Sequence, residues 1–419
     1  MGYFLFLFWL SILSWLLTKI RFVKNAALGS RVIVLLFLLK IIAGMAAGWL
    51  THNDIHSDTW NYHHQALTEY RIFFTNPFEY FSNLFYTGYS YGYDGMLQTQ
   101  NSYWNDLKDN LMIKLVSVFH ILSGGNYYVN VVLYNFAVFF GSIGLYRVFI
   151  QVYQSNKLVT AAIVFLLPSV LFYSSAIHKD GLIMALTGVV IFNVWQSLHI
   201  RFTVKRVLFI TIALLFVFFF RNYVVMAMLP ALAAWIIAIK KKTSPVKTFA
   251  LLYAITLLFF FSVQYILPSV NLQQYAVQKQ ADFFALEKGN TTIQTDTLQP
   301  VPGSFIRSTP QALQHALLRP FVTDIKLSKM LLPLSAELIL YELFIIAFLF
   351  FRQKKFSFNT PFVLFSLFFA LSICLVIGFT VPVIGAIVRY RSIYLPFILA
   401  PFILGTDWNQ MATFAKIKK

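Results

Sequence analysis

The residues best suited to chemistry lie in a polar segment that follows the second long apolar run. This segment, residues 52–64, reads HNDIHSDTWNYHH and contains two carboxylates, Asp54 and Asp58. A carboxylate at the edge of a membrane can serve as a general base or a metal ligand beside a lipid-linked substrate. The histidines match no zinc-binding spacing. The segment predicts a reactive site, with a solvated polar loop as the alternative, and leaves open whether a divalent metal takes part.

A second candidate is the tight connection SSAIHKDG, residues 174–181, between two apolar runs. It places three ionisable side chains, His178, Lys179 and Asp180, at the predicted membrane boundary. Charged side chains there can simply reach the lipid head groups and end a helix. A helix end seldom needs a histidine, a lysine and an aspartate together, so the pattern favours a binding site.

Three arginines, Arg221, Arg389 and Arg391, are embedded in apolar sequence. Such an arginine is costly unless it pairs with a carboxylate or binds an anion. Its planar guanidinium donates two parallel hydrogen bonds, which suits a phosphate group. We therefore expect these arginines to bind phosphate together with Lys179. Contact with lipid head groups is the alternative.

The remaining candidates are Arg319, in the segment LRPF, and Glu337, at the start of a late apolar run. Glu337 and Glu342 are separated by five positions and lie on different faces of a helix, so at most one is expected to face a given cleft. Lys40 lies midway along the second apolar run, where a lysine needs a partner or water. Nothing in the sequence identifies that partner.

The composition indicates which elements must hold these residues. Of 419 residues, 59% are hydrophobic and 11% are charged, whereas a soluble domain carries roughly 25% charged residues. The apolar residues occur in runs of about 17–24, long enough to cross a bilayer. The sequence predicts an all-α integral membrane protein, a single domain over residues 1–419, with about eleven transmembrane helices. The expected spans are residues 2–18, 31–50, 127–150, 158–175, 182–199, 207–220, 222–239, 248–267, 335–351, 359–378 and 391–406.

Charge patterning gives the expected topology. The net charge is +18, but the lysines and arginines fall in short clusters between apolar runs, which argues against nucleic-acid binding and follows the positive-inside rule. By that rule the N-terminus is outside and the C-terminus is cytoplasmic. The first apolar run lacks a small-residue cleavage site and is expected to be a retained helix rather than a signal peptide. The single cysteine, Cys374, excludes an internal disulfide.

Two long loops are expected on the outer side, residues 51–126 and residues 268–334. In the first, the apolar stretch Leu111–Leu122 is too short to span easily and predicts an interfacial or re-entrant helix. In the second, the stretch Gly289–Pro310 is rich in threonine, glutamine and proline and predicts a flexible loop. We expect both outer loops to carry interfacial helices.

The candidate motifs, in their order along the chain, resemble those of bacterial polytopic proteins from surface-polysaccharide loci. Those proteins are similar to the C-type membrane glycosyltransferase superfamily. The likeness extends over most of the chain. It rests on the patterns Asp58-Thr59-x-x-Tyr62-His63, Ser174-Ser175-Ala176-Ile177-His178-Lys179-Asp180-Gly181, Leu318-Arg319-Pro320-Phe321 and Val388-Arg389-Tyr390-Arg391-x-x-x-Leu395-Pro396.

The resemblance implies an enzyme that transfers a sugar from a polyprenyl-phosphate donor to a glycan or lipid acceptor, among the membrane lipids at the periplasmic face of the bacterial inner membrane. It assigns the catalytic base to Asp58, with Asp54 as the rival, and transfer would invert the anomeric carbon. In the superfamily the reactive loop follows the first span, whereas here it follows the second. Donor phosphate would be bound by Lys179, Arg221, Arg389 and Arg391, and the rest of the substrate by Tyr62, His63, His178, Asp180, Arg319 and Glu337.

Three other functions remain open. An O-antigen-type polysaccharide polymerase or ligase would use a whole oligosaccharide on a diphosphate carrier instead of one sugar on a monophosphate. A transporter or flippase would be expected to show polar residues through the membrane depth or an inverted repeat with interrupted helices. Few polar residues lie deep in the predicted spans, and the sequence shows no clear internal repeat. A purely structural scaffold is the fourth interpretation.

Overall fold

The chain is folded almost entirely into α-helices. The computed structural model describes residues 2–54, 57–85, 102–285 and 291–417. In these ranges the only β-type pairings are two isolated bridges, Thr292 with Val383 and Arg352 with Thr406. The all-α prediction is therefore confirmed for the described part of the chain.

The helices follow one another with short connections, apart from the segments that the structure does not describe. Two short 3-10 helices, Asn83–Phe85 and Val322–Lys326, accompany them. The α-helices are α1 (Gly2–Lys19), α2 (Arg21–Lys24), α3 (Ser30–Leu50), α4 (Asp58–Thr75), α5 (Pro77–Ser82), α6 (Tyr103–Ser123), α7 (Tyr127–Tyr153), α8 (Lys157–Phe165), α9 (Pro168–Ser175), α10 (Lys179–His199), α11 (Val204–Lys240), α12 (Pro245–Ile266), α13 (Leu272–Ala285), α14 (Pro302–Leu318), α15 (Leu331–Phe350), α16 (Pro361–Thr380), α17 (Ile384–Gly405) and α18 (Trp408–Ile417).

Within the described ranges, nine helices are long and apolar enough to cross a bilayer. The pair α8 and α9, bent by 54° at a short break, would add a tenth if it crosses as one span. The chain is therefore a membrane protein, and the expected total of about eleven spans stays a prediction. The nine helices are α1, α3, α7, α10, α11, α12, α15, α16 and α17.

Helix α11 accounts for the difference between the ten possible spans in the described part of the chain and the eleven predicted from the sequence. Its backbone leaves helical geometry at Arg221, with φ −148° and ψ 84°. The sequence predicts two spans, 207–220 and 222–239, that meet at this residue. A helix of 37 residues would be about 55 Å long, nearly twice the thickness of a bilayer core. Two crossings of the membrane would divide at Arg221.

Some predicted span ends need correction. Helix α17 begins at Ile384 rather than at residue 391, so Arg389 and Arg391 lie inside its first turns. Helix α10 likewise begins at Lys179 rather than at residue 182. In each case the charged residue has polar partners within the protein, described below, and so does not have to end the helix. Glu337 is buried and Glu342 is exposed, which confirms that the two lie on different faces of α15.

The described residues of the first loop expected on the outer side, residues 51–126, are largely helical. Helix α6 contains the predicted stretch Leu111–Leu122 and begins earlier, at Tyr103. The Ser102 side chain accepts a hydrogen bond from the Asn105 N–H at 3.2 Å, and Gly124 ends the helix with a left-handed backbone, φ 60°. Helix α6 packs against α4.

The second outer loop is more ordered than its composition predicts. Residues 302–310 of the expected flexible stretch belong to helix α14, and residues 289 and 290 lie outside the described residues. The buried Gln280 side chain donates to the carbonyls of Asp296 and Phe379 at 3.0 and 2.7 Å and accepts from the Leu298 N–H at 2.8 Å. These hydrogen bonds satisfy backbone groups of the extended segment that contains Asp296 and Leu298. This segment is therefore fixed by the protein despite its polar composition.

The chain divides into two compact units. The first consists of Met1–Arg147, Val170–Phe192 and Leu208–Phe220, and the second of Val148–Ser169, Asn193–Val207 and Arg221–Lys419. In the first unit, α3 and α7 supply buried apolar side chains such as Phe37 and Phe139, whose rings lie 5.7 Å apart. In the second, α16 packs against both α14 and α17.

Candidate functional site

A polar cavity of about 530 Å³ lies in the first unit between α4 and α6. Helix α4 contributes Asp58, Asn61, Tyr62, Gln65 and Glu69. These positions recur every three or four residues, so they form one stripe along the helix. The polar face of α4 therefore forms one wall of the cavity.

Helix α6 forms the opposite wall with the same spacing. It contributes Asp106, Asp109, Asn110 and Ile113, and Asn83 closes the lining from the first 3-10 helix. Met112 and Val116, which flank this polar stripe on α6, are fully buried. An amphipathic helix of this kind buries its apolar side and leaves a polar side for the cavity.

The cavity lining is rich in carboxylates, with Asp58, Glu69, Asp106 and Asp109. Lys179 pairs with Asp109, and Lys114 pairs with Glu69. Asp109 also accepts a hydrogen bond from the Tyr62 hydroxyl at 3.2 Å. The Lys179 ammonium lies 5.4 Å from the centroid of the Tyr62 ring. Asp109 is thus held by a cation and a phenol together.

This lining suits hydroxyl groups or a cation better than a phosphate. Carboxylates accept hydrogen bonds, amides both accept and donate, and a carboxylate can remove a proton from a bound hydroxyl. A phosphate would instead meet like charges. The expected phosphate ligand Lys179 forms its ion pair with Asp109. Among the described residues, no three histidine, cysteine or carboxylate side chains are grouped to hold a metal ion.

Asp58 is fixed in the cavity wall by its helix. It is the first residue of α4, where a negative charge is favoured by the helix dipole. The next two residues anchor this turn, because Thr59 Oγ1 lies 2.8 Å from Tyr127 Oη and Trp60 Nε1 donates to the Gly48 carbonyl at 2.8 Å. Asp54 lies in the turn before α4 and is not part of the lining.

His63 follows Tyr62 in the chain but lies on a different face of α4, because successive residues of a helix are rotated by about 100°. Its ring is buried against Trp60, Tyr127 and His120, with centroids 5.4, 5.5 and 4.9 Å away. His120 Nδ1 lies 2.8 Å from Asn130 Nδ2. Burial lowers the pKa of His63 to about 3 and that of His120 to about 4. Both rings are therefore neutral at pH 7, and His63 packs in an aromatic cluster rather than in the cavity.

The connection between α9 and α10 is tightly packed. Lys40 Nζ donates to Ser174 Oγ at 2.8 Å and to Ser175 Oγ at 3.1 Å, which supplies the partner that the sequence left unidentified. Asp180 is 1% exposed, and the carbonyl of His178 accepts from the Tyr134 hydroxyl. Lys179 reaches the cavity lining through its ion pair with Asp109. The substrate-binding roles of His178 and Asp180 remain predictions.

Arg221 belongs to a cluster of cations and aromatic rings in the second unit. Its guanidinium carbon lies 4.1 Å from the Tyr390 ring centroid, and its Nη1 donates to the Tyr223 hydroxyl at 3.1 Å. Beside it, Asn222 Nδ2 donates to Tyr275 Oη at 3.3 Å. Stacking on a ring uses the face of the guanidinium, and an anion would bind at its edge. Arg389, on the same turn as Tyr390, is half-buried.

Arg319 and Arg391 form a second group in that unit, directed at backbone. The Arg391 guanidinium is 3% exposed and donates from Nε to the Ala316 carbonyl at 3.0 Å and from Nη2 to the Arg319 carbonyl. Arg319 Nη1 pairs with Asp324 Oδ1 at 2.8 Å. Tyr394 Oη donates to the same Ala316 carbonyl at 3.0 Å. The LRPF and VRYR motifs are therefore joined in space.

Glu337 also has partners within the protein. Its Oε1 accepts from the Ser169 backbone N–H at 2.8 Å and from the Tyr341 hydroxyl. The carboxylate is buried, so its hydrogen-bonding capacity is directed at this unit of the protein. Its expected role in binding substrate remains a prediction, as do those of Arg319 and Arg391.

The structure brings together some predicted residues and adds others. In the first unit, Asp58, Tyr62 and Lys179 belong to one cavity or to its ion pairs. The sequence reasoning missed Glu69, Asp106, Asp109 and Asn110. Polar residues at helical spacing in both walls are the sequence signal for these positions, but Asp106 and Asp109 precede the apolar stretch Leu111–Leu122 from which the helix is predicted.

Comparisons of the chain with protein-family models, with curated proteins and with solved structures found no match.

Proposed function

We propose that this membrane protein is a glycosyltransferase that moves a sugar from a polyprenyl-phosphate donor to a glycan or lipid acceptor. Its proposed location is the periplasmic face of the bacterial inner membrane, with the N-terminus outside. The observation that supports the proposal best is the cavity between α4 and α6. It combines Asp58 with amides, a tyrosine and three further carboxylates, a set that can bind the hydroxyls of a sugar and deprotonate one of them.

In the proposed reaction Asp58 accepts the proton of an acceptor hydroxyl. The oxygen then bonds to the anomeric carbon of the donor sugar, while the bond from that carbon to the phosphate oxygen breaks. The electron pair leaves with polyprenyl phosphate, and the configuration at the anomeric carbon is inverted. Asp109, which pairs with Lys179, lines the cavity together with Tyr62, and we expect these groups to orient the acceptor rather than receive the phosphate.

The arginines stay the proposed ligands of the donor phosphate. Within the second unit, Arg221 is stacked on Tyr390 and bonded to Tyr223. Its guanidinium is held in one orientation, which suits an anion. Arg391 is a weaker candidate because it donates to two carbonyls.

A polysaccharide polymerase or ligase would use the same acceptor chemistry. The two functions differ in the donor, which carries one sugar on a monophosphate or an oligosaccharide on a diphosphate. The full-length protein in lipid nanodiscs should be assayed with both classes of polyprenyl donor and an extract of the glycan or lipid acceptors of its host. We expect transfer from the monophosphate donors, and transfer from the diphosphate donors alone would favour the polymerase.

Asp58→Asn tests the proposed base in the same assay. The amide keeps the shape of the side chain but cannot accept the proton, so turnover should fall by roughly 10²–10⁴-fold. Glu79→Gln is the matched control, since Glu79 is an exposed carboxylate on α5 outside the cavity lining. Wild-type turnover by Asp58→Asn would rule out Asp58 as the base, and loss of turnover in Asp54→Asn alone would move the role to Asp54.

A further inference from the structure

Lys40 is a buried cation in the middle of a membrane span. It lies midway along α3 and is 2% exposed. Its ammonium donates to Ser174 Oγ at 2.8 Å, to Ser175 Oγ at 3.1 Å and to the Ser174 carbonyl at 3.4 Å. All three acceptors belong to the end of α9, so one side chain of α3 binds one short segment of the chain.

A buried lysine is an unfavourable contact between two helices. Burying its ammonium among neutral oxygens costs desolvation energy, and an apolar side chain of similar volume would pack without that cost. Contact between α3 and α9 alone therefore does not account for it. The hydrogen bonds fix direction as well as distance, which apolar packing does not.

The segment that Lys40 binds leads directly to Lys179. Helix α7 adds two more hydrogen bonds to it, from Asn135 Nδ2 to the Ser175 carbonyl at 2.9 Å and from the Tyr134 hydroxyl to the His178 carbonyl. Gly181 has no room for a side chain, because a Cβ there would lie 2.3 Å from Tyr134 Oη. The backbone from Ser174 to Gly181 is thus held at several points.

Lys179 reaches the acidic cavity from this held backbone. Its ammonium pairs with Asp109, to which Tyr62 also donates. A lysine on a flexible four-carbon chain is directed only as well as its backbone is fixed. A shift of the Ser174–Lys179 connection would move the ammonium relative to the cavity wall.

We propose that Lys40 is a positioning residue: by binding Ser174 and Ser175 it sets the Lys179 ammonium against Asp109 in the cavity lining. Lys40 touches no substrate and acts through the connection between α9 and α10. Its effect on turnover rests on the proposed function, whereas its effect on the position of Lys179 does not.

The position of Lys179 is measured by cross-linking. The full-length chain carries Asp109→Cys and Lys179→Cys with Cys374→Ala, and a short bismethanethiosulfonate reports how often the two thiols come within its reach. Three versions are compared: Lys40 intact, Lys40→Met, and Lys40→Met with Ser174→Ala and Ser175→Ala. Thermal melting in detergent monitors folding. Lys157→Met, on an exposed lysine, is the control.

The triple substitution separates positioning from simple stabilisation. Lys40→Met leaves two buried hydroxyls without their donor, which destabilises the fold. Removing the two hydroxyls as well removes that penalty and leaves only the long 3.4 Å contact to the Ser174 carbonyl unmade. We expect the triple variant to melt close to the parent and still to cross-link far more slowly. In the cysteine-free background its turnover should fall by about 10–10²-fold, and Lys40→Arg should recover part of it.

The outcomes are distinct. A folded triple variant that cross-links as fast as the parent would overturn the proposal, because Lys40 would then serve only to satisfy the two serines. If the Cys374→Ala chain with Lys40, Asp109 and Lys179 intact transfers no sugar, the proposed function fails. The cross-linking result would still decide whether Lys40 positions Lys179.

Discussion

Arg391 Nε donates to the carbonyl oxygen of Ala316 at 3.0 Å, and so α17 holds the last turn of α14. The last carbonyls of a helix have no partner within it, and a cation there is favoured by the helix dipole. Tyr394 donates to the same oxygen. An arginine that the sequence suggests for phosphate binding therefore has a clear structural role.

Arg391→Ala is expected to destabilise the protein rather than only weaken donor binding. A backbone acceptor left unsatisfied costs about 1–3 kcal/mol. Without Arg391 the Arg319 carbonyl loses this donor, whereas the Ala316 carbonyl keeps its hydrogen bond from Tyr394. Thermal melting in detergent should show a marked loss of stability, with Arg391→Lys intermediate because an ammonium lacks the planar fork. Arg307→Ala is the control, since Arg307 is an exposed arginine of α14. A variant that melts like the wild type but loses donor affinity would restore the phosphate role.

The Lys179–Asp109 pair is expected to couple in a double-mutant cycle. The Asp109 side chain is 45% exposed, so its coupling should resemble that of a surface pair, roughly 0.5–1 kcal/mol, or about a two- to fivefold effect on turnover. The cycle compares Asp109→Asn, Lys179→Met and the double variant.

The same cycle with Lys157→Met in place of Lys179→Met should be additive. Additivity of Asp109→Asn with Lys179→Met as well would contradict the ion pair as a working element of the cavity. A coupling effect on turnover much greater than fivefold would instead indicate that the ion pair is shielded from water when the acceptor is bound.

The sequence predicts the membrane architecture well because runs of apolar residues have no other stable solution. It also predicts the break at Arg221, since this charge divides the apolar sequence of α11 into two runs. The ends of α10 and α17 were misplaced because Lys179 and Arg391 look like boundary charges in the sequence. Their partners, Asp109 and two backbone carbonyls, are distant in sequence and are visible only in the fold.

The candidate site was predicted in part for the same reason. The polar segment next to a span predicts Asp58 and Tyr62 as site residues, and both line the cavity. Asp106 and Asp109 enter it only because α6 packs against α4, a long-range contact that local composition does not encode. His63 shares the motif with Tyr62, yet one residue of helical rotation, about 100°, takes it into an aromatic cluster instead.

Topology is tested by labelling single cysteines in a Cys374→Ala background. By the positive-inside rule, Lys241 and Lys354 are cytoplasmic and the segment around Glu79 is outside. An impermeant maleimide should label a cysteine at position 79 in intact cells and should reach positions 241 and 354 only after permeabilisation. Labelling of position 241 from outside would invert the topology and place the cavity on the cytoplasmic side.

The histidine cluster is expected to make the stability of the protein depend on pH. His63 and His120 lie outside the spanning helices, and burial lowers their pKa values from 6.5 to about 3 and about 4. Below pH 6.5 the unfolded chain binds protons at these positions while the folded chain does not. The free energy of unfolding therefore falls as the pH decreases from about 6.5 towards 4, and it is insensitive to these groups above pH 7.

His63→Phe tests this dependence, because phenylalanine keeps the ring packed against Trp60 and Tyr127 but cannot bind a proton. Melting temperatures in detergent at pH 7.5 and pH 5 should differ clearly in the wild type and by about half as much in His63→Phe, since one of the two groups is gone. His64→Phe, one position along α4 on an exposed residue, should keep the wild-type difference. An unchanged difference in His63→Phe would show that the acid sensitivity arises elsewhere, most directly from the carboxylates of the cavity and their two lysines.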